Sequence, residues 1–211
     1  MRQAHEVRIV AGRWRGRRLR FPAGTAIRPT PDRVRETLFN WLAPYITGTR
    51  VLDAFAGSGA LGLEALSRGA CAAVFIESDA RCVTALRTQL AQWIDSDAKH
   101  AADMNLPPVE VRRGDALGLL AGPRSTTEAP YDLVFVDPPF ASGCWTAIAE
   151  RLERGGWLAD DAFIYLEYPA RDTRPTLPAS WQLWRSGTAG EVGYDVFRRK
   201  AVRPDPELPR P

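Results

Sequence analysis

Apolar residues in this chain fall into two kinds of stretch: short continuous runs and longer stretches with helical spacing. The clearest run is 133–136, Leu-Val-Phe-Val, which suits a strand buried on both faces of a parallel sheet. Similar runs at 50–53, 72–76, 109–113 and 162–167 predict four more strands. Between them, helical spacing predicts a helix from Asp32 through Val34, Leu38, Trp41 and Leu42, with Thr30 as N-cap and Pro31 in the first turn. Further helices are predicted at 60–68, closed by Gly69, at 80–93 with Val83, Leu86, Leu90 and Trp93 inward, at 116–121, and at 145–152 before Gly155-Gly156. Residues 95–108 and 122–130 are polar and read as exposed loops. Residues 181–185 and 192–198 read as an antiparallel pair turning at 187–190. At the front, 7–10 and 17–21 flank a glycine-containing connection and predict a small hairpin, followed by a Pro- and Gly-rich linker at 22–30. The proline-rich tail from Arg203 reads as disordered. The resulting division is a hairpin arm with linker (1–30), an α/β domain (31–202) and a tail (203–211).

Composition narrows the class. The chain has 211 residues, 45% hydrophobic and 25% charged, as expected for a globular domain with a sizeable core. No apolar run approaches the ~20 residues of a membrane span, and the N-terminus lacks the apolar core of a secretory signal, so a cytoplasmic protein is expected. Cys71, Cys82 and Cys144 are scattered, and with only two histidines no metal site is expected. Net charge is +3, but residues 1–40 hold ten arginines against three acids, an excess of +7 that leaves the rest of the chain at −4. A basic arm on a mildly acidic body points to a polyanion, with a solvated charge run as the bland alternative. Trp14 sits among Arg13, Arg15, Arg17 and Arg18. It can stack on a base while the guanidinium groups meet phosphates, or it can pack the hairpin onto the body. Arg28, Arg33 and Arg35 either line a site near the sheet or are surface charge.

The chemistry lies at strand ends. The run at 133–136 stops at Asp137-Pro138-Pro139-Phe140. Neither proline can donate to a ladder, so a rigid turn is expected at the carboxyl end of a central strand, where open α/β sheets place ligands. One acceptor carboxylate, carbonyls fixed by prolines and a ring at stacking height suit a flat substrate with an exocyclic amine. Upstream, Asp53-Ala-Phe-Ala56-Gly57-Ser-Gly59 leads a strand into a glycine turn and a helix. Gly57 to Gly62 matches G-x-G-x-x-G, a weak signal by itself. Asp53 would repel a pyrophosphate but suits a cationic amino-acid ligand such as S-adenosylmethionine. Glu77, closing the next strand, can accept ribose hydroxyls. Asp115, before Ala116, can meet an adenine amino group or merely cap the helix behind it.

These motifs, in this order, resemble those of class I methyltransferases. The blocks Arg8-Ile-Val-Ala-Gly-Arg-Trp-Arg-Gly-Arg-Arg-Leu19 and Arg28-Pro-Thr-Pro-Asp-Arg-Val-Arg-Glu-Thr-Leu-Phe-Asn-Trp-Leu42 resemble the RsmD family across residues 7–200. The resemblance implies a Rossmann-like α/β fold: a seven-stranded, mostly parallel sheet with a C-terminal antiparallel hairpin and a small N-terminal β-hairpin extension. It implies methyl transfer from S-adenosylmethionine to the N2 amino group of guanine 966 of 16S ribosomal RNA, in an assembling 30S subunit, by a monomer. Asp53, Ala56, Gly57 and Gly59 would hold the methionine end, Glu77 the ribose, and Asp115 with Ala116 the adenine. Asp137 and the Pro138 carbonyl would grip the guanine amine, with Pro139 stiffening the turn and Phe140 stacking on the base. Rival readings are a DNA adenine-N6 methyltransferase, a dinucleotide-dependent oxidoreductase, and a non-catalytic ribosome-assembly protein that binds RNA.

Overall fold

The computed structural model describes residues 5–22, 24–25, 30–100 and 107–200, without the side chains of His5 and residues 98–100. Arg28, the tail from 203 and part of the 95–108 segment lie outside the described residues. Among those described, β1 (His5–Arg8) and β2 (Arg18–Phe21) form a two-stranded antiparallel sheet. A second sheet has seven strands: β3 (Arg50–Asp53), β4 (Ala72–Glu77), β5 (Val109–Arg113), β6 (Tyr131–Val136), β7 (Leu158–Pro169), β8 (Trp181–Ala189) and β9 (Val192–Arg199). Their order is β5-β4-β3-β6-β7-β9-β8, with the first five parallel and β9 antiparallel to both neighbours. The order reverses between β3 and β6, which makes the crevice beyond their carboxyl ends the favoured ligand position.

Alternation along the strands explains why the central runs are apolar throughout. Val51, Phe75, Leu133, Phe135, Phe163 and Tyr165 join one buried cluster, while Leu52, Val74, Val134, Val136, Ile164 and Leu166 join the other. The first face is covered by α1 (Asp32–Leu42), α2 (Ala60–Ser67) and α3 (Ala80–His100). The second is covered by the short α4 (Ala116–Leu119) and by α5 (Trp145–Arg154). Helices on both faces are what a parallel sheet needs to remove two apolar surfaces from water.

Several expectations are corrected. The polar segment after Trp93 is not a loop from residue 95, because α3 runs on to His100. Asp97, one turn beyond Trp93, is buried and receives the Trp14 indole N–H at 2.6 Å and the Arg17 guanidinium at 2.5 Å. Thr30 does not cap α1, whose N-cap position is Pro31 and has no side-chain bond. The Thr30 hydroxyl instead donates to Glu167, 137 residues away. β8 also runs through Gly187 rather than turning there, since the missing side chain leaves room for the Tyr194 ring.

The hairpin shares the main core instead of standing apart from it. Val7, Ile9, Trp14, Leu19 and Phe21 belong to the same buried cluster as α1, α2 and α3. Its connection is tied to α2. Val10 and Ala11 N–H groups donate to the Glu64 carboxylate at 2.7 and 3.0 Å, Trp14 N–H to Ser67 Oγ at 2.9 Å, and Ser67 Oγ–H to the Ala11 carbonyl at 2.5 Å. At Gly12, with φ of +81°, a Cβ would strike the Ser67 backbone, so only glycine lets the two segments approach this closely.

Candidate active site

The carboxyl end of β3 carries Asp53, which is buried. Its Oδ2 accepts Gly62 N–H from the first turn of α2 at 3.1 Å. Gly62 itself lies against the Phe75 ring with no room for a Cβ. Between them the chain turns at Gly59, φ +78°, whose N–H bonds to the Ala56 carbonyl at 2.6 Å. Glu77, ending β4, accepts Gly57 N–H on Oε2 and Asp79 N–H on Oε1, both at 2.7 Å. The glycine turn is therefore braced by two acids, and its N–H groups are partly spent on them. Burial, aided by the Glu77 charge and opposed by Gly62 and Phe55 N–H bonds, pushes the Asp53 carboxyl up to about 7.

Beyond β6, Asp137 is half-buried at the start of the turn, and Phe140, 37% exposed, opens a single 3₁₀ turn with its ring 6.3 Å from that of Trp145. Among the described residues no donor or cation reaches the Asp137 carboxylate. Burial, then the charges of Glu167 and Asp53, push its carboxyl well above the ordinary range. Glu167, on the neighbouring strand β7, is buried and also raised by burial, against the hydrogen bonds of Thr30 and Tyr165. Three acids thus converge at the ends of three adjacent strands, none of them in a salt bridge among the described residues.

They face one cavity of about 1380 Å³. That is larger than the ~300–1,000 Å³ typical of a site for one small ligand, so it has room for two. Asp53, Ala56, Gly57, Glu77, Asp115, Ala116, Asp137, Pro138, Pro139 and Phe140 all line it. Gly59 does not: it shapes the turn behind the wall, packed against Leu86. Asp115 does cap α4, accepting Gly118 N–H at 2.8 Å, while remaining at the wall. Thr25, Thr30 and Glu167 also line the cavity, and sequence reasoning missed them as site residues. For Glu167 the available signal was its position as the acid closing the apolar run at 162–167, as Glu77 closes the run at 72–76.

The arginines expected to meet RNA divide. Arg13, Arg15, Arg18 and Arg33 are exposed, Arg18 being paired with Glu6 at 3.0 Å. Trp14 and Arg35 are buried and do not form an RNA surface, while Arg17 is half-buried and committed to an internal partner. Trp14 is 1% exposed, bonded to Asp97 and packed 5.2 Å from Trp93. Arg17 pairs with the same Asp97 and covers the Trp93 ring. Arg35 is fully buried, donating to the Arg8 carbonyl at 2.9 Å and to Asp32, with Glu64 at 3.8 Å. None of the described arginines in these sets lines the cavity.

A parallel sheet with this order, closed by an antiparallel pair and carrying an acid-rimmed cavity at its switch point, defines a Rossmann-like fold of the class I methyltransferase type. Comparison with known proteins refines this. Residues 7–198 match the family model described as Conserved hypothetical protein 95, and the chain belongs to that family, the RsmD family. It is 45% identical to Ribosomal RNA small subunit methyltransferase D of Escherichia coli (strain K12), over 93% of this chain and 91% of that protein. It is 39% identical to the protein of the same name from Haemophilus influenzae, over 92% and 94%. Among solved structures, yhhF from Escherichia coli superposes with a TM-score of 0.79 at 44% identity, covering 93% of this chain and 99% of that one.

Proposed function

We propose that this chain transfers the methyl group of S-adenosylmethionine to the exocyclic N2 amine of a guanine in 16S ribosomal RNA, guanine 966 by likeness to its family. The observation that carries this is Asp137. Its carboxylate has no partner among the described residues and stands directly before two prolines and an exposed phenylalanine, in the same cavity as the braced glycine turn and Asp53. The names of the relatives support ribosomal RNA as the substrate class. Mapping methylated guanines in 16S RNA by mass, from cells with and without the protein, tests the assignment. An unchanged set of N2-methylguanines would refute it.

The donor set fits that cofactor and not a dinucleotide. Asp53, raised by burial and by its acidic neighbour, is stabilised by a cation and would repel a pyrophosphate. Glu77, braced by two N–H groups, keeps lone pairs for ribose hydroxyls, and Ala116 is buried behind Asp115. When bound, the cofactor supplies an activated methyl group on a positively charged sulfur.

The protein's own work is orientation and proton management. A guanine amine is a weak nucleophile because its lone pair is delocalised into the ring. Asp137 and the Pro138 carbonyl, accepting the two N2 hydrogens, favour a more tetrahedral nitrogen with its lone pair free. Holding reactants in line can contribute ~7–11 kcal/mol. The raised proton affinity of Asp137 lets its carboxylate take the proton that N2 sheds on methylation. Phe140 provides a face for the base, worth ~1–3 kcal/mol of stacking.

Cofactor affinity should depend on pH through Asp53. An ammonium group favours the ionised form, but in the free protein that carboxyl holds its proton up to about pH 7. Affinity should therefore fall below pH 7, by up to about tenfold per unit, with a proton released on binding. Calorimetry in buffers of different ionisation enthalpy measures this, and a flat profile from pH 5.5 to 8 would exclude it. The stability of the free protein should run the other way. A carboxyl raised above its unfolded value contributes stability below about pH 4 that is lost as pH rises through about 7.

RNA affinity should depend on salt through the exposed arginines. Replacing Arg13, Arg15 or Arg33 by Gln should weaken RNA binding and reduce the slope of log affinity against log salt by about 0.7–0.9 for each phosphate no longer neutralised. Cofactor affinity should not change. Unaltered slopes in all three variants would remove these arginines from the RNA interface.

A further inference from the structure

Glu167 has a chemistry that the scheme above leaves unused. The β6–β7 register pairs Phe135 with Tyr165 and Val136 with Leu166, so Asp137 and Glu167 follow as the next neighbours at the rim. Each lies two residues beyond a member of the Phe135–Tyr165 pair and therefore on the same sheet face. Glu167 is 4% exposed and firmly placed. Its Oε1 accepts Thr30 Oγ1–H at 2.6 Å and Tyr165 O–H at 2.7 Å, and its carbonyl accepts the Trp145 indole N–H at 2.6 Å. Both side-chain donors converge on one oxygen. Among the described residues none reaches Oε2, although Glu167 lines the cavity. Oε2 is not among the buried atoms left without a partner but opens on the cavity, free to accept from a ligand, beside a second acid that meets no cation among the described residues.

Two adjacent acceptors without donors are complementary to two adjacent donors. The Watson–Crick edge of guanine presents N1–H next to N2–H₂. Adenine and cytosine present a ring lone pair at the corresponding position, and uracil has no exocyclic amine. We propose that Glu167 reads the base, its Oε2 accepting guanine N1–H while Asp137 holds the N2 amine. This rests on the guanine reading above and adds the group that would reject other bases. The raised proton affinities of both acids are consistent with a site completed by the donors of its substrate. Thr30 enters as a positioning residue, since its hydroxyl fixes which carboxylate oxygen faces the base.

The test removes N1–H from the substrate, together with the O6 carbonyl that goes with it, so the N1–H contact is read from how far Glu167→Ala abolishes the preference rather than from the wild-type preference alone. In 2-aminopurine the N2 amine is kept but N1 carries a lone pair instead of a hydrogen. Small-subunit RNA is prepared with guanine or 2-aminopurine at the target position, and kcat/KM is measured for the wild-type protein and for Glu167→Ala. The wild-type protein should prefer guanine by ~100-fold or more, as expected where a buried acceptor would be left unpaired. Glu167→Ala should lower the guanine value by ~100-fold and leave the 2-aminopurine value within ~3-fold, collapsing the preference. Equal falls on both substrates would mean a structural role only and overturn the proposal. So would a wild-type protein indifferent to the substitution, a result that needs no variant to fold. If the wild-type protein transfers methyl groups to guanine without an N1–H preference, only the role of Glu167 falls. If it transfers none to guanine, the underlying activity falls with it.

Discussion

Asp137→Ala should lower methyl transfer at least ~10³-fold while cofactor affinity changes less than ~3-fold, because the effect is confined to groups that act on the reacting amine. The separation follows from geometry. The Asp137 carboxylate bonds to nothing else among the described residues, so its removal breaks no internal contact. It also relieves repulsion with Glu167 and Asp53, the charges that push its proton affinity up. Thermal stability should therefore hold or rise. Asp137→Asn, which keeps one acceptor but cannot take a proton, should lie between the two, with kcat reduced and KM little changed. Single-turnover transfer rates beside calorimetric cofactor affinities give the comparison. Near-normal turnover in Asp137→Ala would end the role assigned to this residue.

Glu64→Ala should destabilise the fold by about 3–5 kcal/mol, the usual cost of stranding one partner of a buried charge pair. Glu64 is fully buried and serves four neighbours: Val10 N–H, Ala11 N–H, Arg68 at 2.8 Å and Arg35 at 3.8 Å. Arg35 is fully buried too, and its Nε and Nη1 already lack hydrogen-bond partners. Without Glu64 its charge would rest only on Asp32 and the Arg8 carbonyl. At ~2–4 °C per kcal/mol for a chain of this size, the melting temperature should fall by roughly 6–20 °C. Glu64→Gln, which keeps an acceptor for the arm, should cost less. A thermal shift below about 2 °C for Glu64→Ala would show that this cluster contributes little. The same contacts fix what removing residues 1–21 should do. The hairpin buries Ile9, Trp14 and Leu19 in the common core, so cofactor and RNA binding should fail together rather than RNA binding alone.

What could be read from the sequence was the part written locally. The run at 133–136 and its proline turn declared a central strand and its end, because burial on both faces leaves no polar residue in between and two prolines cannot be paired. Asp53 and Glu77 were legible for the same reason, as acids that stop apolar runs. Trp14 was ambiguous because its partner, Asp97, lies 83 residues away in a stretch whose composition suggests a loop. A tryptophan among arginines looks the same in either role until that partner is known. Thr30 was read as a cap from its neighbours, whereas its hydroxyl is committed to Glu167 on a distant strand. Glu167 itself could be recognised as the acid closing an apolar run, but its place next to Asp137 depends on the β6–β7 register, which no local pattern encodes.

Helix α2 has a consequence of its own. Within one turn it gives Gly62 N–H to Asp53 at the cavity wall and the Glu64 carboxylate to the basic arm, with Ser67 clasping the arm one turn further on. Arm and cavity are thus both bolted to a single rod two turns long. If the arm grips the RNA, the protein works as a caliper: the target is the nucleotide at the jaw's fixed span from the grip. Neighbouring guanines, chemically identical, would be passed over because the jaw closes only at that distance.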